Sequence, residues 1–157
     1  MSAYIKAIQQ PRLPTIVLNV SNPSNGIRPS SEGILLYQDV DGSADAASGA
    51  PYYDKTTGVF TAWRVLTNVK IKVRNFPLPG LTGSGLDVKT ELKINGVTRA
   101  FAYSSKSAQV GDVQLIDFDL PQLAQGDTVA VCASASGAGA IISAGGKADS
   151  LQIFAFS

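Results

Sequence analysis

Residues 87–103 read DVKTELKINGVTRAFAY, and this stretch decides the fold. From Val88 to Ile94, side chains that favour burial alternate with charged ones. A period of two is typical of a β-strand with one buried face. Asn95-Gly96 follows at once and favours the tight turn of a β-hairpin, because both residues tolerate a positive φ. The sequence therefore predicts two antiparallel strands joined by a two-residue turn.

Working outward, the same alternation occurs in residues 68–74, where Val69, Ile71 and Val73 face in. Further short apolar or alternating runs are separated by Gly, Pro, Asn and Ser turn signals, and long amphipathic helices are absent from the pattern. The sequence thus predicts an all-β domain of about eight to ten short strands over residues 15–157. The other predicted strands are Thr15–Val20, Gly33–Tyr37, Val59–Val65, Val97–Tyr103, Val110–Leu120, Thr128–Ala133 and Leu151–Phe156.

Two of these strands carry apolar residues on both faces. Val110–Leu120 changes parity between Leu115 and Ile116, which predicts a β-bulge or burial on two sides. In the last strand, Leu151 and Ile153 face one way while Phe154 and Phe156 face the other. Two exposed phenylalanines would promote aggregation, so this strand is expected to be central to a double-layered core or to touch another subunit.

Residues 1–14, MSAYIKAIQQPRLP, differ from the rest of the chain. Two prolines hold the end of this segment extended. We interpret it as an N-terminal arm that leads into the first strand and anchors the protein on a neighbour. The side chains expected to make the contact are Tyr4, Ile5, Ile8 and Arg12.

Composition excludes several classes of function. The formal net charge is +1, so the sequence predicts neither nucleic-acid binding nor attraction to an anionic membrane. No signal peptide and no run of about 18 apolar residues is visible, so we expect a protein made in a cytoplasm, not exported by a signal peptide and not inserted in a membrane. The charged fraction of 16% is below the usual value of about 25%, which favours a surface partly hidden in an oligomer.

Catalytic chemistry finds little support in the residues. The chain has no histidine, which removes Ser-His-Asp and Cys-His arrangements and histidine metal sites. The lone Cys132 sits in an apolar run and is predicted to be a small buried side chain. Asp117 and Asp119 would lie about 6–7 Å apart on one strand face, which favours a solvated polar face over an aspartate-based hydrolase. We predict no enzymatic activity and no cofactor.

Two binding hypotheses remain open. The loop that contains Asp39, Asp41 and Asp45 offers three carboxylates to a hard cation, but its glycine and its twelfth residue do not match an EF-hand. An ordinary turn is the favoured interpretation, and calcium is the alternative. Tyr52, Tyr53 and Trp63 are interpreted as core or subunit contacts, with a sugar- or protein-binding surface as the alternative.

Three segments carry a family resemblance. YDKTTGVFTA at Tyr53–Ala62 resembles the "YD..TG.FTA" signature of C1q/TNF-like jelly rolls. LPQLAQGDTV at Leu120–Val129 resembles the "L..GD.V" element of that family, and SLQIFAFS at Ser150–Ser157 resembles its closing strand. The three occur in the family's order and, with the strands between them, cover most of residues 15–157. The chain departs from the family at Trp63-Arg64-Val65, where members have a Pro followed by "G.Y.F".

The resemblance implies a ten-strand jelly roll that assembles as a homotrimer about an apolar axis lined by the closing strand. The implied interface residues are Leu151, Ile153, Phe154 and Phe156. Domains of this type also form phage and virus spike heads, fibre tips and capsid decorations. We therefore expect a virion-surface protein of a bacteriophage, held on a capsid, fibre or tail protein by residues 1–14. The alternative is a head domain that binds a host receptor or surface glycan.

Overall fold

The described part of the molecule is a sandwich of two antiparallel β-sheets. A computed structural model describes residues 15–24, 32–40, 52–75, 87–104, 113–136 and 149–156. These residues form 11 strands and no helix, which confirms the all-β prediction. Accordingly, none of them belongs to a helix that could cross a membrane. The predicted arm, residues 1–14, lies outside the described residues.

The strands divide into a five-stranded and a six-stranded sheet. The five-stranded sheet has the order β3-β1-β11-β6-β9, and the other has β4-β5-β10-β7-β8 with β2 added beside β10. The strand bounds are β1 (Thr15–Pro23), β2 (Glu32–Ile34), β3 (Tyr37–Val40), β4 (Tyr53–Asp54), β5 (Val59–Thr61), β6 (Leu66–Asn75), β7 (Asp87–Ile94), β8 (Val97–Ser104), β9 (Gln114–Leu123), β10 (Thr128–Ser136) and β11 (Ser150–Phe156).

The hairpin predicted for residues 87–103 is present. β7 and β8 pair antiparallel, and Asn95 and Gly96 turn between them with φ of 52° and 76°. The register shifts once, between Leu92 and Lys93, so Arg99 is an extra residue in β8. This bulge lets the guanidinium of Arg99 reach the ring of Phe118 in the other sheet, 5.9 Å from its centroid.

A second predicted turn, between β4 and β5, explains much of the "YD..TG.FTA" segment. Tyr53 and Phe60 are core residues, 2% and 0% exposed. The side chain of Asp54 accepts hydrogen bonds from the backbone N–H groups of Thr56 and Thr57, at 2.8 and 3.3 Å. These bonds, above all the one from Thr56, lower the pKa of Asp54. Gly58 closes the turn with φ of 73°. The motif therefore encodes a turn and its contact with the core.

Two sequence predictions about strands are wrong. Val110–Leu120 was expected to contain a bulge or two buried faces, but β9 pairs with β6 in one unbroken register. The parity change arises because Leu115 is simply exposed, with 63% of its surface open to solvent.

Gly33–Tyr37 was expected to be one strand, but the chain crosses there from β2 in one sheet to β3 in the other. Buried Leu35 makes the crossing, and its N–H donates to the carbonyl of Val131.

The core contains a pair of tyrosines with different hydrogen bonding. The hydroxyl oxygen of Tyr53 accepts a bond from the backbone N–H of Tyr37, at 3.0 Å. Burial raises the pKa of Tyr53 to about 12 and that of Tyr37 well above its usual value. The hydroxyl of Tyr37 is buried, and it has no hydrogen-bond partner within the described part of the chain. The two hydroxyls therefore contribute differently to stability.

We expect Tyr53→Phe to destabilise the fold by about 1–3 kcal/mol, because it leaves the buried N–H of Tyr37 without an acceptor. The matched variant Tyr37→Phe removes a buried hydroxyl without a partner in the described residues, so it should leave the free energy of unfolding unchanged or raise it. Urea denaturation followed by tryptophan fluorescence measures both. Equal losses in the two variants would contradict this account of the pair.

The register of the strands gives the sandwich two distinct poles. At the arm pole, Thr15 pairs with Ala155, and the tight turns at residues 95–96 and 124–127 meet. There, Asn95 donates to the carboxylate of Asp127 at 2.9 Å. At the far pole lie Ser24, Asn75, Ser104 and Ser136, which are the last described residues before four longer connections. Thus the start of β1 and the two short hydrogen-bonded turns lie at the same end of the described sandwich.

Candidate functional site

The outward face of the five-stranded sheet carries an apolar groove near the arm pole. Along β11, Leu151, Ile153 and Ala155 point into the sandwich, so Phe154 and Phe156 point outward. Both phenylalanines are half-buried and line a groove of about 630 Å³ with Leu120 and Pro121 of β9. We call this surface, defined by those four residues, the phenylalanine groove. It lies on β11, the middle strand of its sheet. The two rings are therefore central across the width of the sheet and near the arm pole along its length.

The structure corrects part of the predicted subunit interface. Leu151 and Ile153 have no exposed surface and belong to the core between the sheets. Their side chains are enclosed within one copy of the chain, so neither can contact another copy. Of the four residues named from the sequence, Phe154 and Phe156 remain available to a neighbour. The apolar residues on the two faces of β11 thus have different roles. One face packs in the core, and the other lines the outward groove.

We expect Ile153→Ala to lower the free energy of unfolding of each protomer by about 2–5 kcal/mol, because it leaves a cavity in a completely buried position. It should not weaken association between copies, since the side chain lies inside one protomer. Chemical denaturation measures the first effect and light scattering at micromolar concentration the second. A variant that keeps its stability but dissociates would place Ile153 in an interface after all.

Lysines of β6 face aspartates of β9 across the strand pair, and Lys70, Lys72 and Asp119 also line the groove. Lys70 lies 3.7 Å from Asp119, and Lys72 lies 4.0 Å from Asp117. All four side chains are at least half exposed, so each pair contributes at most about 1 kcal/mol. Both aspartates point to the same outward face as predicted, and each carboxylate is matched to a cation. This arrangement is typical of a solvated polar sheet face.

A second set of exposed apolar side chains occurs on and next to β8 and β9, which are the edge strands of their sheets. Phe101 is 63% exposed and Tyr103 is 56% exposed on β8. Leu115 and Val113, at and just before the start of β9, are 63% and 39% exposed. We call these four residues the edge patch. The ammonium of Lys89 lies 5.0 Å from the ring centroid of Phe101, which adds a cation–π contact to the patch.

The edge patch was not predicted from the sequence. On β8, large residues alternate with Ala100 and Ala102, and large apolar residues are more often buried than alanines. The structure reverses that order, since the alanines are half-buried and Phe101 and Tyr103 point outward. The alternation of aromatic residues with alanines along β8 was visible in the sequence. It indicates exposed aromatic side chains only once β8 is known to be an edge strand.

The predicted aromatic surface is only partly at the surface. Tyr53 is a core residue, in agreement with the favoured interpretation as a core contact, and this removes it from the alternative ligand surface. Tyr52 and Trp63 are half-buried and stack with ring centroids 4.2 Å apart, and Phe60 meets Trp63 edge-on at 6.2 Å. The guanidinium of Arg64 lies 5.5 Å from the Trp63 ring centroid. The accessible part of this cluster is therefore Tyr52, Trp63 and Arg64.

The calcium hypothesis falls mostly outside the described residues, since Asp41 and Asp45 are not among them. Asp39 lies in β3, half-buried, and accepts a hydrogen bond from the side-chain amide of Asn22 at 3.2 Å. Within the described ranges, no three His, Cys, Asp or Glu side chains group as metal ligands would. Cys132 is 3% exposed, in agreement with the predicted small buried side chain.

Comparison with known proteins finds similarity in structure rather than in sequence. No protein-family model matches the chain, and no curated protein matches it. Solved structures do match. The TNF protein Eiger from S. frugiperda superposes with a TM-score of 0.58 at 11% identity, over 91% of this chain and 94% of that one.

Murine APRIL gives a TM-score of 0.55 at 15% identity, over 92% of this chain and 100% of its own. The globular domain of the zebrafish complement 1qA protein gives 0.52 at 15% identity, over 92% and 98%. Such low identities establish the fold alone. The chain has the two-sheet jelly-roll fold of the TNF and C1q domains.

Proposed function

We propose that this chain is a non-enzymatic, homotrimeric jelly roll on the surface of a bacteriophage virion, anchored by residues 1–14. It would decorate the capsid or form the head of a spike or fibre. The observation that carries the assembly is the phenylalanine groove, two half-buried aromatic rings on the outward face of a central strand. An apolar surface of this kind on a folded domain marks a contact with another molecule.

A ring of identical copies requires two different surfaces, since each copy contacts its neighbours through one patch on either side. The described residues supply two such surfaces, the phenylalanine groove on a sheet face and the edge patch on the side of the sandwich. Packing the edge patch of one copy against the groove of the next repeats around a closed ring. Jelly rolls of the TNF and C1q type are often trimeric, which favours three copies.

A non-catalytic role agrees with the chemistry of the exposed groups. The chain has no histidine, and Asp117 and Asp119 each face a lysine on a half-exposed sheet surface. Glu91 is engaged as well, because its carboxylate accepts bonds from Lys89 at 2.8 Å and from Thr98 at 3.1 Å. The side-chain bond from Lys89 is the main reason that the pKa of Glu91 is lowered. The carboxylate of Glu91 therefore links β7 to β8 through its bond from Thr98.

The virion role depends on the arm, and deleting residues 1–14 tests it. We expect the shortened protein to remain a trimer by light scattering, because its contact surfaces lie in the folded domain. It should no longer sediment with phage particles produced in the same cells, whereas the full chain should. A shortened protein that still sediments with particles, or a full chain that does not, would overturn the proposed anchoring.

The second candidate function is a head domain that binds a host receptor or surface glycan. Its supporting observation is the stacked Tyr52–Trp63 pair with Arg64 beside it, because sugars and proteins both pack on such aromatic surfaces. Arg64→Ala should weaken binding to host cells or to a glycan array at least about tenfold if this cluster makes the contact. Val65→Ala, at the next exposed residue, is the matched control and should bind normally. Equal binding by both variants would remove this cluster as the site.

A further inference from the structure

The turn between β7 and β8 contains the residue pair that most favours spontaneous deamidation. In this reaction the backbone nitrogen that follows an asparagine attacks the side-chain amide carbon, and a glycine leaves that nitrogen unshielded because it has no Cβ. Among the asparagines that the structure describes, only Asn95 precedes a glycine. Asn22 and Asn68 share its positive φ, but they precede a proline, which has no N–H, and a branched valine. Asn95 and Gly96 are both exposed, so water reaches them.

In the folded chain, the side chain of Asn95 is held by the neighbouring turn. Its Oδ1 accepts a hydrogen bond from the backbone N–H of Thr128, and its Nδ2 donates to Oδ1 of Asp127, both at 2.9 Å. The backbone N–H of Asn95 donates to the carbonyl of Thr128 at 3.0 Å. Asp127 is itself held, because its other oxygen accepts from the N–H of Ala124 at 2.8 Å. The side-chain amide is therefore bonded at both its oxygen and its nitrogen.

We propose that Asn95 is a modification site that deamidates slowly in the folded protein and rapidly once the arm pole opens, and that the product weakens this pole. The nitrogen of Gly96 bonds to Cγ of Asn95, the bond from Cγ to Nδ2 breaks, and ammonia leaves with the proton from the Gly96 nitrogen. Water then opens the cyclic imide to give aspartate or isoaspartate.

The two side-chain hydrogen bonds oppose the first step of this reaction. Attack makes Cγ tetrahedral, so the amide of Asn95 must leave the plane in which it bonds to Thr128 and Asp127. One of these bonds goes to a carboxylate, which makes it stronger than a bond between neutral groups. Breaking both is expected to slow deamidation at least about 30-fold relative to the unfolded chain.

The product changes the contact between the two turns. An aspartate at position 95 has no N–H to donate to Asp127, and it places a second carboxylate where the donor stood, 2.9 Å from the first. Like charges this close repel each other. Hydrolysis does not reverse, so a copy that has reacted keeps a weaker pole. A single copy of the chain suffices, so the reaction does not require the proposed trimer.

Peptide mass spectrometry measures the rate at Asn95. Trypsin releases residues 94–99, in which Asn95 is the only asparagine. At one mildly alkaline pH, the chain unfolded in guanidinium chloride should deamidate at least about 30-fold faster than the folded chain. Asp127→Ala should raise the rate in the folded chain, whereas Asp117→Ala, in the middle of β9, should not. Equal rates in the folded and unfolded chain would overturn the protection, and an unchanged rate in folded Asp127→Ala would overturn the role of its carboxylate.

Exchanging the two side chains tests the effect of the product. Asn95→Asp should lower the equilibrium ratio of folded to unfolded protein about 10–100-fold, because a donor is replaced by a carboxylate beside Asp127. The double variant Asn95→Asp/Asp127→Asn restores one donor and one acceptor, so it should recover most of that loss. Urea denaturation followed by tryptophan fluorescence measures both. If the single variant were as stable as the unchanged chain, or the double variant no more stable than the single one, the product would not weaken the arm pole.

Discussion

Replacing both Phe154 and Phe156 with aspartate is expected to convert the proposed trimer into monomers. Each ring is already half-buried in one copy, so covering the remainder contributes about half of the 1.5–3 kcal/mol of full burial, and the double change removes about 1.5–3 kcal/mol from every contact. That corresponds to a weakening of about 10–10²-fold per contact, and the new carboxylates add the cost of burying charge. Light scattering at micromolar concentration would then show a mass near 16.4 kDa, that of one chain.

Two measurements separate this effect from misfolding. Both side chains point out of the sandwich, so the variant should keep the cooperative unfolding of a folded protomer. Ile34→Asp makes a similar change on the outward face of the six-stranded sheet, at a residue that is 36% exposed, and should leave the assembly intact. A double variant that is folded and still trimeric would show that the phenylalanine groove is not a subunit contact.

The second large effect is expected at Gly58. Its φ of 73° is unfavourable for a residue with a side chain, and a β-carbon built there would lie 2.5 Å from the carbonyl oxygen of Leu35 and 2.7 Å from a methyl carbon of Ile34. Left-handed backbone alone costs about 1–2 kcal/mol. The contact with a backbone oxygen in the crossing segment adds to it, because the segment must shift. We expect Gly58→Ala to cost at least about 3 kcal/mol.

Gly96→Ala and Gly126→Ala are the matched controls. Both glycines have positive φ, 76° and 89°, but a β-carbon at either position would meet nothing within 4 Å. Each variant should therefore show the backbone cost alone, about 1–2 kcal/mol. Urea denaturation of the three variants gives the comparison. If Gly58→Ala lost no more stability than the controls, the close approach to Leu35 would not constrain the fold.

Much of the fold follows from local sequence because each strand with one wet face shows its period directly. In β6, the alternation of Val69, Ile71 and Val73 with lysines and an arginine specifies which face is buried. The Asn95-Gly96 turn fixes the partner of β7 for the same local reason. The signature segments carry structural information too, since Asp127 caps its own turn by accepting from the N–H of Ala124 at 2.8 Å. They predict a fold and no chemistry.

The errors arise where the environment of a residue depends on distant strands. Leu115 is apolar yet exposed because β9 is the last strand of its sheet, which no local pattern reveals. The sequence left open whether Tyr53 belongs to the core or to a binding surface, and only the fold shows that its hydroxyl accepts from the N–H of Tyr37 in the interior. Of the two candidate contact surfaces, only the phenylalanine groove could be predicted from local sequence. Phe154 and Phe156 stand out from their parity in β11, whereas Phe101 and Tyr103 gain meaning from the position of β8 at an edge.

The two poles also suggest how this scaffold could be engineered to display foreign peptides. Four connections of 7 to 12 residues join strands at the pole opposite the arm, after Ser24, Asn75, Ser104 and Ser136. The entropy of closing a connection grows only with the logarithm of its length, about 0.6 kcal/mol for each doubling. An epitope grafted between Ser104 and Val113 would join the domain at the pole opposite the start of β1. The turns at 95–96 and 124–127 are poor places for a graft, because they lie at the other pole and a hydrogen bond between Asn95 and Asp127 joins them.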